Sequence, residues 1–226
     1  MCFFLSGLSA LIYQTSWVRQ LGLVFGASEI AVVAVLAGFM GGLALGAAIA
    51  SRVAGRVGSP LLIYAVIEVA VAVFALLFPF FLAGVGRIQQ SIFSVPTLAE
   101  LPPAWQGGLL VFSLSFLLLL IPTALMGMTL PLLIRFSIRE DREMGWKTAV
   151  VYAVNTAGAA GGALLSVFLL LPRLGLGGAV WVAAGINVLV AIAAFLLSCR
   201  GKVQPVAKLE RVRTRRFHWV YPVVLV

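Results

Sequence analysis

Six stretches, at 2–25, 30–50, 60–85, 108–134, 148–171 and 176–198, are almost wholly apolar. Each is close to the roughly 20 residues that a helix needs to cross the hydrocarbon core of a bilayer. In hydrocarbon every backbone donor and acceptor must be satisfied within the segment, so such stretches fold as helices. The pattern predicts an all-α, polytopic transmembrane helical bundle of six spans over 1–199. A basic linker at 200–216 follows. The apolar run 217–226 is too short to cross and reads as the start of a further, truncated transmembrane helix, so the chain is expected to be a fragment.

Composition agrees. Hydrophobic residues make up 62% and charged residues 10%, against about a quarter charged in soluble domains. Mean hydropathy is +1.13. The +9 net charge does not point to nucleic acid, because the basic residues fall in short clusters between apolar runs. Arg52 and Arg56 follow the second span, and Arg135, Arg139, Arg142 and Lys147 follow the fourth. Arg200, Lys202, Lys208, Arg211, Arg213, Arg215 and Arg216 follow the sixth. Thirteen of the 16 basic residues thus lie on one side, and the positive-inside rule makes that side, with the N-terminus and the linker, cytoplasmic. Cys2 and Cys199 would both lie near that face as free thiols.

The second span holds Ala34, Gly38, Gly42, Gly46 and Ala50 at strict four-residue intervals. On a helix these form one stripe without bulky side chains, which lets two helices pack backbone to backbone. It reads as a central, tightly packed helix ended by the cytoplasmic turn of Arg52 and Arg56. The fifth span repeats the device with Gly158, Gly162 and Ser166. In the fourth, Pro122 and Pro131 each remove a backbone donor and favour a kink. Gly86 to Gly107 reads as an external loop, and Pro172 to Gly178 as a tight external turn.

Span one is more polar than an anchor requires. Ser6, Ser9, Tyr13, Ser16 and Gln20 share a face, with Trp17 beside them and Gln14 and Arg19 on neighbouring faces. These groups either bond to neighbouring helices or line a cavity. Arg19 and Glu68 are intramembrane charges, which are expensive and need a partner, water or a bundle interior. An Arg19–Glu68 ion pair is the expected arrangement, with a proton or substrate site as the alternative. Tyr64 lies one turn before Glu68 on the same face, and Asn155 opens the fifth span.

Catalytic chemistry is absent. GGLALG lies inside an apolar run, where glycines serve packing and not phosphate binding. The only histidine is His218, so no His, Cys, Asp and Glu cluster can hold a metal. No cofactor is expected, and no catalytic site lies within the chain.

Several blocks, in order, resemble a known family. They are SGLSALIYQTSWVRQLGLVFGAS (6–28), VLAGFMGGLALGAAIASR (35–52), YAVIE (64–68), IPTALMGMTLPLL (121–133), YAVNTAGAAGGAL (152–164) and LLPRLGL (170–176). Together they resemble the membrane portion of the fused major-facilitator/spermidine-synthase-like proteins of bacteria. The resemblance implies half of a major-facilitator fold, in a bacterial inner membrane. In longer members this half precedes a cytoplasmic aminopropyltransferase-like domain. The matching positions are Tyr13, Gln14, Trp17, Arg19, the span-two glycines, Glu68, Pro122, Gly127, Pro131, Asn155 and Gly158. Gly55 stands where facilitator-like turns usually carry an Asp, and no synthase domain lies within these residues.

Three functions follow as expectations. One is a transporter-like module handling a polyamine or related small metabolite. Another is a non-transporting membrane anchor and scaffold for an aminopropyltransferase-like domain. The third is a half-bundle pairing with a second six-helix half or another copy of itself. The lipid bilayer is the common partner.

Overall fold

The computed structural model describes residues 1–25, 29–53, 58–93, 110–137 and 144–200, and among these no strand occurs. Helices occupy all six apolar stretches. They are α1 (Cys2–Phe25), α2 (Glu29–Val53), α3 (Pro60–Phe93), α4 (Leu110–Ser137), α5 (Met144–Leu165) and α6 (Leu171–Arg200). A π-helical turn, Ser166–Leu170, joins α5 to α6.

Four stretches are long and apolar enough to cross a membrane: Val32–Val53, Pro60–Ile88, Phe112–Ile134 and Gly145–Cys199. The last is not one rod. Gly175 breaks it with φ 70° and ψ −175°, a left-handed backbone that favours glycine because it has no Cβ. The expected turn at 172–178 is thus reduced to a single non-helical residue. The outward surface carries Phe80, Phe168, Trp181 and Leu189, the inverse of a water-soluble surface and the signature of a lipid environment.

Neighbouring contacts fix the topology. Ser6 meets Glu68 and Trp17 meets Phe78, so α1 and α3 run parallel. Gly158 faces Phe4 and Gly162 faces Leu8, which makes α5 parallel to them. Gly38 faces Phe116 and Gly46 faces Ala124, pairing α2 with α4 in parallel. Leu133 of α4 and Val190 and Ala194 of α6 cluster with Leu61 and Tyr64 at the start of α3. Those two helices therefore oppose α3, and odd and even helices alternate in direction.

The stripe in α2 packs as expected, but not at the centre. Gly42 lies against Thr123 and Gly46 against the Ala124 carbonyl of α4, while Val33, Leu36 and Met40 on the other side of α2 are exposed. The central helix is α1, which contacts every other helix and is sandwiched between α5 and α6. A face carrying five polar side chains gains most from complete enclosure, whereas a stripe of glycines needs only one close neighbour. The two small-residue stripes do not meet each other: that of α5 packs on α1.

Helix α3 continues through Pro79 to Phe93, so the first part of the expected loop at 86–107 is helix. Its 34 residues span about 50 Å, more than a bilayer core. Helix α4 likewise runs unbroken through Pro122 and Pro131. Thr123 donates to the Leu119 carbonyl at 2.6 Å, one turn back beside the first proline. Arg52 is exposed at the end of α2. Arg56, Gly55, residues 94–107, the linker beyond Arg200 and the run 217–226 lie outside the described residues.

Candidate functional site

Glu68 stands two turns into α3 on the face turned to α1. It is 2% exposed, and the Ser6 hydroxyl donates to its Oε1 at 2.6 Å. That bond defines the register of α1 on α3 and corrects the expected ion pair. Glu68 is level with Ser6, thirteen residues before Arg19, which is about 20 Å along a helix. No arginine side chain spans that distance. Arg19 is exposed and away from the site, and among the described residues no cation pairs with Glu68.

The carboxylate opens on a cavity of about 90 Å³, room for several water molecules. Its polar lining is Ser6, Ser9, Glu68, Thr129, Asn155 and Asn187. With Phe39 and Leu43 from α2, all six helices contribute to the wall. Each polar residue is held there by local helix chemistry. Ser9 donates to the Ser6 carbonyl at 3.0 Å, and Thr129 donates to the Met126 carbonyl at 2.6 Å. These are the back-bonds that hydroxyls make inside helices. Asn155 is brought in by the α1–α5 contact, where Gly7 lies against the Asn155 carbonyl and leaves no space for a Cβ. Asn187 is 2% exposed, and its Oδ1 is buried with no hydrogen-bond partner.

An aromatic stack lies in the core further along α1. Tyr13 lies over Trp17 with ring centroids 5.3 Å apart, and Trp17 over Phe78 at 5.0 Å. Tyr13, Trp17 and Tyr64 are all fully buried. The Tyr64 hydroxyl lies next to Ser6 and Glu68, yet neither it, the Tyr13 hydroxyl nor the Trp17 Nε1 makes a hydrogen bond of good geometry.

Of the residues singled out from the sequence, Glu68 and Asn155 line the cavity. Tyr13, Trp17 and Tyr64 are buried in the core but lie outside its lining, Gln14 is half-buried, and Arg19 is exposed. The serines of α1 divide. Ser6 reaches another helix, while Ser9 and Ser16 bond carbonyls of their own helix. Thr15 provides a second link between helices, 2.5 Å from Ser166 in the π turn. Sequence reasoning missed Asn187, Thr129 and Gly7 as site-forming residues. The signal for Asn187 was an amide inside an Ala- and Val-rich span, which must find a partner or a cavity. Among the described residues no group of three His, Cys, Asp or Glu could hold a metal.

Comparison of the chain with family models, curated proteins and solved structures gives no match.

Proposed function

We propose that this chain is a transporter-like membrane module of six crossings, handling a small positively charged metabolite, polyamines included, with its N-terminus and basic linker at the cytoplasmic face. The observation that carries this reading is Glu68: a carboxylate without a cationic partner among the described residues, on a cavity to which all six helices contribute. A purely structural bundle gains nothing from a lone buried carboxylate, because burying its charge costs more than one hydroxyl bond returns. The alternating helix directions support six crossings, with α5 and α6 dividing the 55-residue stretch Gly145–Cys199 at Gly175. The resemblance to the fused major-facilitator/spermidine-synthase-like family supports a half-facilitator bundle with a second half or a further copy beside it.

The competing reading, an anchor and scaffold for an aminopropyltransferase-like domain, draws on Tyr13, Trp17 and Tyr64, whose full burial closes the core among the described residues. Uptake of labelled spermidine and of small monoamines into proteoliposomes decides between them. Transport requires saturable uptake that Glu68→Gln removes. Absence of uptake for every amine tested overturns the transporter reading and leaves the scaffold.

A further inference from the structure

We infer that the cavity beside Glu68 is a binding site for one compact monovalent cation, an alkali ion or the head of a primary ammonium, held between the Glu68 carboxylate and the Asn187 amide oxygen. This goes deeper into the site on which the transporter reading rests, but it requires only binding.

The argument starts from where the protons of the lining point. Ser6 donates to Glu68, Ser9 to the Ser6 carbonyl, and Thr129 to the Met126 carbonyl. A hydroxyl has one proton and two lone pairs, so all three have committed their protons and have only lone pairs left for the cavity. Asn187 adds a buried Oδ1 with no partner. Glu68 in its ionised form is acceptor only. The lining therefore holds one formal negative charge, hydroxyl lone pairs and two asparagine amides, each with an acceptor oxygen and N–H donors, and no described cation is set against that charge. Its complement is a donor or an ion carrying one positive charge.

Size and donor type narrow the choice. About 90 Å³ admits an ion or a small head group and not an extended chain. Divalent ions are held by several carboxylates or by nitrogen and sulfur ligands, whereas this lining offers one carboxylate and neutral oxygens.

The test uses the full chain, purified in detergent, and equilibrium dialysis with radioactive sodium, with potassium, methylammonium and spermidine as competitors. One saturable site per chain is expected, with Glu68→Gln and Asn187→Leu each weakening it at least about tenfold, the scale of losing a hydrogen bond to a charged group. Circular dichroism and gel filtration establish that both variants fold. Arg19→Gln, remote from the cavity, should bind like the parent chain. Spermidine competing no better than methylammonium supports a site for a single head group. No saturable binding of any of these cations, or binding that Glu68→Gln leaves intact, overturns the proposal. Binding without proteoliposome uptake keeps the cation site and removes the transporter reading; uptake of an amine without such binding does the reverse.

Discussion

At Gly46 a methyl group would fall on the Ala124 carbonyl, while at Gly41, on the neighbouring face, it would meet the Phe116 ring at an ordinary 3.6 Å. The same substitution should therefore have consequences of very different size five residues apart. Gly46→Ala is expected to lower stability by about 1–3 kcal/mol, the usual cost of overpacking, and Gly41→Ala by less than about 0.5 kcal/mol. Reversible unfolding in mixed micelles measures both. Ser6 and Ser16 offer a second contrast. Ser6→Ala removes the hydroxyl that donates to buried Glu68 and should cost about 1–3 kcal/mol. Ser16 bonds only the Ile12 carbonyl of its own helix, so Ser16→Ala should fall within about 0.5 kcal/mol. If the two serines behave alike, the Ser6–Glu68 bond is not what holds α1 against α3.

Whole helices were more legible than their neighbours. The six apolar stretches coincide with α1 to α6, and the four-residue stripes of Gly38, Gly42, Gly46 and of Gly158, Gly162 do make the close contacts. A periodic pattern identifies the face that must pack. It carries no information about which helix will occupy it, and so α2 reads as central when it is a rim helix packed on α4. The Arg19–Glu68 pairing failed for a related reason. Depth counted from the ends of each apolar run ignores how far one helix slides along another, and α3 sits so that Glu68 is level with Ser6. Asn187 escaped because an isolated amide has no period to reveal it. The rim position of α2 has its own check: a spin label on Met40→Cys should tumble freely in lipid, and one on Phe39→Cys, buried in the core, should be immobilised.

For the molecule as a whole, the alternation of directions places Met1, Val53, Gly145 and the end of α6 at one end, and Phe25, Arg87 and Arg173 at the other. In a chain with both native cysteines changed to serine, Gly145→Cys should react with a membrane-impermeant maleimide only from the cytoplasmic side, and Arg173→Cys only from the opposite side. Labelling of both from the same side would reduce α5 and α6 to a single crossing or a re-entrant hairpin, and the six-crossing architecture would fail.

The enclosure of α1 also bears on how the bundle comes to be made. Synthesis delivers helices in chain order, and α1, which precedes α2 to α6, is not among the stretches apolar enough to cross a membrane by themselves. Its polar face is satisfied by groups that emerge much later: Glu68 on α3 and Ser166 beyond α5. Its bilayer position is therefore a property of the finished bundle and not of its own sequence. Translated by itself on a ribosome bound to membranes, α1 should integrate poorly, and integration should rise once α3, α5 and α6 are present on the same chain. Of the six helices, the one made before the others would be the last to settle.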